Sequence, residues 1–234
     1  MMYWQEDDKK NDISTSDKVV DLHYKINCKQ IPTRHAWELS QALYEALPWI
    51  KEEPELGIHQ IHGATSGNGW ERPADGELIH LSKRTRMHLR VPTSRIAEAN
   101  ELVGKTLDVA GHSVTIGKMA TKKIDPFSTI FSRYIVASPG MSEDDFLQWI
   151  YTELKARDIQ ARKLLCGIGH ELEANGKKIE TRSLMIADLD KSTSVALQEI
   201  GLGPHRHLGC GIFIAHKGIK AVGETEDKTH FTGS

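Results

Sequence analysis

"GLGPHRHLGCGIFIAHKG", residues 201–218, sets Gly201, Gly203, Gly209 and Gly211 around the basic triplet His205-Arg206-His207 and then runs into apolar residues. Glycine permits positive φ and close backbone approach, so glycines clustered with cations predict a loop that holds phosphate. Whose phosphate depends on what flanks the loop. Upstream, "STSVALQEI" (192–200) has helical spacing and is closed by Gly201, while downstream "GIFIAH" reads as a strand. A dinucleotide site or P-loop has its strand before the glycines and its helix after them, and the G-K-[ST] ending of a P-loop is missing here. No nucleotide cofactor is expected; the order favours the backbone of a nucleic acid.

The same helix-then-strand order extends along the chain. "KVVDLHYKINC" (18–28) alternates as a strand, and Pro32-Thr33 opens a helix with Leu39, Leu43, Leu47 and Ile50 on one face. Thr33 is its expected N-cap, and Pro48 ends or bends it. "GIHQIHG" (57–63) reads as a strand, followed by the polar loop "ATSGNGWERPADGE" (64–77) and the strands "LIHLS" and "KRTRMHLRVP". Ser94 is expected to cap a helix through "RIAEANELV" that ends at Gly104. A strand pair then turns at Ala110-Gly111-His112. A second round begins with "TIFSRYIVAS" (129–138) and a helix capped by Ser142, with Asp145 in the capping-box place. A long hairpin around Asn175-Gly176 follows, then the helix before the glycine loop. Two βαββαβ units predict an α+β fold of tandem ferredoxin-like (RRM-like) domains. The expected division is an acidic leader at 1–17, an N-terminal domain at 18–125 and a C-terminal domain at 126–234 carrying the glycine loop 201–211, with a linker near Asp125-Pro126-Phe127-Ser128.

Net charge is −2 over 234 residues. Glu6, Asp7, Asp8, Asp12 and Asp17 against Lys9 and Lys10 put −3 on the leader, so the remainder is at +1 with histidines able to add charge beside a phosphate. The leader is expected to be a mobile tail. Three scattered cysteines, Cys28, Cys166 and Cys210, form no C-x-x-C pair and fit a reducing cytoplasm. No basic-then-apolar signal pattern opens the chain, and no apolar run approaches the roughly 18 residues needed to span a bilayer.

Strand "KRTRMHLRV" (83–91) sends Arg84, Arg86, His88 and Arg90 to one face and Met87, Leu89 and Val91 to the other. The apolar face covers a core. The other, with Lys83 beside it, presents a row of cations without an acid, which predicts a grip on RNA phosphates rather than a solvated edge. His205, His207 and Cys210 lack a fourth ligand and a standard spacing, so no metal is expected. His35, after Thr33, falls at the start of a helix, where the macrodipole lowers an imidazole's pKa and attracts phosphate. A neutral imidazole beside a phosphodiester is what a general base requires.

"RHAWELSQALYEAL", "LGIHQIHG", "KRTRMHLRV", "GKTLDVAGHSVTIG" and "GLGPHRHLGCGIFIAHKGI" together resemble the CRISPR repeat-processing endoribonucleases of the repeat-associated mysterious protein superfamily, in the branch named after Myxococcus. The resemblance covers nearly everything after the leader. It implies tandem ferredoxin-like domains and metal-independent cleavage of precursor CRISPR RNA within each repeat. It also implies a product that stays bound and joins a guide-RNA surveillance complex. Carried onto this chain, the histidine of the first helix matches His35 and the glycine loop matches 201–211. Members often pair that histidine with a nearby tyrosine or lysine, whereas Trp37 stands there and an indole cannot transfer a proton. His59 is ranked ahead of Tyr44 as the second catalytic group. A non-catalytic RNA-binding subunit is the alternative.

Overall fold

Val20, Leu22, Tyr24 and Ile26 alternate with polar residues along strand β1 (Val19–Asn27), and all four are buried. That alternation makes one face of a sheet the core and leaves the other to Asp21, His23 and Lys25. A computed structural model describes residues 15–63 and 76–216. The acidic leader through residue 14, most of the polar loop (64–75) and the tail from Lys217 lie outside the described residues.

After β1 come β2 (Gln30–Pro32), helix α1 (Ala36–Ala46), β3 (Gly57–Ile58), β4 (Leu78–His80), β5 (Arg86–Pro92), the short helix α2 (Ile96–Ala99), β6 (Thr106–Val109) and β7 (His112–Lys123). The second half holds β8 (Ile130–Val136), α3 (Glu143–Lys155), β9 (Lys163–Ala174), β10 (Lys177–Ala187), α4 (Lys191–Ile200) and β11 (Ile214–Ala215). One sheet runs β3-β5-β1-β7-β6 and the other β11-β8-β10-β9, with every pairing antiparallel. In both, the first strand of the unit lies between the third and the fourth, and the second lies outside the third. These are tandem ferredoxin-like units. β2 and β4 form a separate pair at the edge of the first.

Leu39, Leu43 and Leu47 from α1, with Ile50 beyond it, cover β1 and β5 in the first core. Phe146, Ile150 and Leu154 of α3 do the same in the second. Ser142 caps α3 as expected, its hydroxyl accepting from the Asp145 N–H at 3.1 Å. Gly201 ends α4 at φ 68°, a conformation that favours glycine.

Three local expectations are corrected. Thr33 does not cap α1: its N–H donates to the Glu77 carbonyl and its hydroxyl accepts from the Gly76 N–H, so it is tied to the chain around β4. His35 takes the N-cap position, one residue before the helix. The strand expected over 57–63 pairs only at Gly57 and Ile58, because from Gln60 the chain leaves β5 to bond the C-terminal half through Gln60 Nε2 and the Leu208 carbonyl. Ser94 starts no regular helix; a tight 3₁₀ turn over Thr93–Arg95 precedes the single turn of α2. No helix among the described residues is long and apolar enough to cross a membrane.

Candidate active site and nucleic-acid interface

The polar faces of β1 and β5 look into a cleft of about 520 Å³ lined by residues of both halves. Strand register decides what stands on that floor. Asp21 pairs with Arg90, His23 with His88 and Lys25 with Arg86. β3 brings His59 alongside, its N–H donating to the His88 carbonyl at 3.1 Å. Three imidazoles therefore form a row, with His23 on β1, His88 on β5 and His59 just past the end of β3. His23 stacks on His88 with centroids 4.1 Å apart, and His59 meets His88 edge-on at 5.9 Å. Burial pushes His88 down to about 3, helped by the neighbouring His59 and His23. Burial lowers His23 and His59 as well, against the pull of Asp21. At neutral pH the row is uncharged, and its π-faces suit an unstacked base. Around it the cleft is cationic, with Arg84, Arg86, Lys122 and Arg133 in its lining. Lys83 and Arg84 are exposed in the turn before β5, and Arg86 folds back to donate to the Lys83 and Thr85 carbonyls.

Arg90, expected to extend this row of phosphate-binding cations, is a correction. It is 1% exposed. Its Nε and Nη2 bond the Asp21 carboxylate at 2.7 and 2.9 Å, and its Nη1 donates to the Gln198 and Phe213 carbonyls, both at 2.7 Å. All of these partners are internal, and two belong to the opposite half. Burial alone would raise the Asp21 carboxyl, but the charge and hydrogen bonds of Arg90 outweigh it and hold that carboxyl well below the usual range. Arg206 is corrected in the same sense. Its guanidinium reaches the Glu55 and Leu56 carbonyls of the first half and Glu199 of its own. Burial, with Arg90 nearby, pushes it down to about 10. Arg90 and Arg206 thus each reach from one half into the other.

The glycine loop is braced rather than open. The Leu202 N–H donates to Gly211 O, the Gly211 N–H to Tyr134 O, and the Leu208 and Cys210 N–H groups to His205 O. The N–H groups of Gly201, Gly209 and Gly211 donate to Leu197 O, Arg206 O and Tyr134 O, which corrects the phosphate-cradle role for those three glycines. Gly201 and Gly211 are buried, and a Cβ on Gly211 would collide with Leu202 O. At Gly209 a Cβ would lie 3.2 Å from Ile58 O, where the loop packs on the first half. Gly203 has open space around it. His205 and His207 remain half-exposed and line a second hollow of about 320 Å³ with Tyr44 and Lys51. Tyr44 stands 6.1 Å from the His207 ring, away from the cleft that His59 lines.

His35 sits where the halves meet. Ala36, beside it, packs with Tyr134, Leu208 and Cys210. The ring is 1% exposed, with Nδ1 at 2.7 Å from Pro32 O and Nε2 accepting from the Ile61 N–H at 3.0 Å. A carbonyl can only accept and an amide N–H can only donate, so Nδ1 carries the hydrogen and Nε2 the lone pair. His59 lines the cleft with its Nε2 3.8 Å from Asp21 Oδ1, beyond hydrogen-bond reach. His59 lines that cleft and His35 does not; two residues beyond His59, the Ile61 N–H occupies His35 Nε2. His23, Lys122 and Arg133 are not among the expected site residues, and His88, expected in the cationic row of β5, is instead a neutral ring of the stack. His23 and His88 each alternate onto a polar face, but only the pairing of β1 with β5 stacks them.

A family model described as Cas6 Crispr matches residues 20–218. The CRISPR-associated endonuclease Cas6 of Myxococcus xanthus (strain DK1622) is 29% identical over 195 residues, covering 83% of this chain and 80% of the relative. The structure of a Cas6-related protein from Pyrococcus furiosus superposes with a TM-score of 0.59 at 13% identity, over 85% of this chain and 99% of that one. Cse3 of Thermus thermophilus, solved bound to an RNA representing a pre-cleavage complex, superposes with a TM-score of 0.50 at 11% identity, over 84% and 98%. With nearly the whole described chain matched, this protein belongs to the Cas6 family.

Proposed function

We propose that the chain binds the repeat of a precursor CRISPR RNA, cuts it once by metal-independent transesterification and keeps the guide product for a surveillance complex. Family membership and the endonuclease named in Myxococcus support the substrate class. The cationic cleft with its row of neutral imidazoles supports a single-stranded RNA ligand. The observation that carries the reaction is the fixed tautomer of His35, with the Nε2 lone pair facing an N–H donor at 3.0 Å.

RNA brings its own nucleophile. In this reading the ribose 2′-hydroxyl takes the place of the Ile61 N–H as donor to His35 Nε2, and His35 removes its proton as the 2′-oxygen attacks phosphorus. Pro32 O, holding Nδ1–H, steadies the imidazolium that forms. Arg84 and Arg86 hold the backbone in the cleft, with Lys83 at its rim and His205 and His207 gripping RNA on the loop side. His59 belongs here to the stacking row. The products are a 2′,3′-cyclic phosphate and a 5′-hydroxyl.

The burial of His35 favours one other reading, a non-catalytic subunit in which that ring is a structural staple. His35→Ala separates the two. The catalytic reading expects repeat cleavage to fall by roughly 10²–10⁴-fold with RNA binding retained; wild-type protein that never cleaves supports the staple. Cleavage by the wild type should persist in excess chelator and vanish on RNA with a single 2′-deoxy at the cut. The opposite result in either arm overturns the mechanism.

A further inference from the structure

We propose that His62 is the general acid that protonates the 5′-oxygen as it leaves. This role rests on the assignment of His35 as base. The Ile61 N–H at His35 Nε2 marks where the 2′-hydroxyl proton is taken, and His62 is the next residue, its Cα about 3.8 Å along a trans peptide. Ile61 turns its side chain into the core at 1% exposure. His62 is half-exposed and lines the cleft with Arg84, Arg86 and Arg133. In this reading the buried ring takes the proton of the attacking hydroxyl, and the wetter ring serves the leaving oxygen on the cleft side.

The two imidazoles also share one support. His35 hangs from Pro32, the end of β2. Just after His62, Gly63 packs so closely on β4 that a Cβ would lie 2.9 Å from Ile79 Cγ2 and 3.3 Å from His80 O. Ile79 is the register partner of Ile31, next to Pro32. Base and acid are therefore held against the two strands of one small pair. Upstream, Gln60 Nε2 bonded to Leu208 O fixes the approach. His59, the rival for this role, stands on the sheet beside Asp21 and His88.

The step balances without a co-reactant. The 2′-O–H proton passes to His35 Nε2 as the 2′-O–P bond forms. The P–O5′ bond breaks with its electron pair on O5′, which takes a proton from the His62 imidazolium. Exchange with water then resets both rings.

A repeat RNA carrying sulfur in place of the 5′-oxygen at the cut tests this, because a thiolate leaves without protonation. His62→Gln should lower cleavage of ordinary RNA by about 10²-fold or more, yet cut the thio-substrate within a few-fold of wild type. His35→Ala should fail on both. Equal impairment of His62→Gln on the two substrates, ordinary RNA cut at the wild-type rate, or thio-rescue of His59→Gln in its place would overturn the assignment. The ratio of rates on the two substrates within one preparation does not depend on the fraction correctly folded. Full activity of His35→Ala on ordinary RNA would fail the base and leave the thio-rescue of His62→Gln to be read on its own.

Discussion

The cleft floor and the seam behind it are built from the same residue types, yet they have opposite states. Arg86 and Arg90 lie on the same face of β5, four residues apart. Both border the cleft, but Arg86 is partly exposed, while Arg90 is 1% exposed with a carboxylate and two carbonyls around it. His88 and His35 differ similarly: one stacks in a row of rings at the cleft, the other has both nitrogens bonded. At the seam Arg90, Arg206 and Gln60 bond groups of the opposite half and hold the halves together. The cleft instead lines its open space with arginines and stacked rings. A basic residue is therefore a ligand-binding candidate only after its internal partners have been counted.

The largest effect that sharpens this contrast belongs to Arg90. Arg90→Met leaves Asp21, 17% exposed, without its partner, and breaking a buried pair from one side costs up to about 3–5 kcal/mol. Urea unfolding should show that loss. Adding Asp21→Leu to Arg90→Met should recover a good part of it, since two apolar groups leave no orphaned charge. A single variant as stable as wild type would mean that the seam is not what joins the halves.

That pair also shows where reading the chain stops. Alternation placed Arg84, Arg86, His88 and Arg90 away from the apolar face of β5, and helical spacing placed Leu39, Leu43 and Leu47 in the core. Ser142 with Asp145, and Gly201 at the end of α4, were legible because a cap is a local interaction. Depth was not legible. Arg90 is buried because Gln198 and Phe213, more than a hundred residues away, close over it. Thr33 lost its cap to Gly76 and Glu77 for the same non-local reason. The glycines of the loop were recognisable as necessary. For Gly201, Gly209 and Gly211 the necessity lies in close packing against Arg206, Ile58 and Leu202, which no spacing reveals.

A smaller effect of different kind is expected from Arg84→Ala and Arg86→Ala. Arg86 bonds only carbonyls of its own turn, and surface changes of this sort alter stability by no more than about 0.5 kcal/mol. If these arginines hold phosphates, repeat affinity should fall. The slope of log K against log salt should also flatten by about 0.7 for each phosphate of a single strand that is no longer neutralised. Binding measured by fluorescence anisotropy at several salt concentrations reads both quantities. A change in melting temperature with an unchanged salt slope would place these arginines with Arg90 instead.

The mildest expectation concerns pH. His88 is held down to about 3 by burial and by the rings beside it, so the unfolded chain, with an ordinary histidine pKa near 6.5, takes up its proton first as pH falls. A depressed histidine contributes full stability above about pH 6.5 and loses it progressively below, by at most about 1.4 kcal/mol per pH unit. His23 and His59 are shifted in the same direction, and Lys122, Arg86 and Arg90 around them oppose any added positive charge. Asp21 pulls the other way, but its own protonation lies below the ordinary carboxylate range and does not enter this window. His88→Phe keeps a ring in the stack and removes one titrating site. Urea unfolding at pH 7.5 and 5.5 should therefore show a smaller loss on acidification for the variant than for wild type. Equal losses would mean that His88 titrates alike in the folded and unfolded chain, and a larger loss for the variant would mean that the folded protein holds the proton more tightly, which would make the cleft floor a charged phosphate clamp instead of a neutral stacking surface.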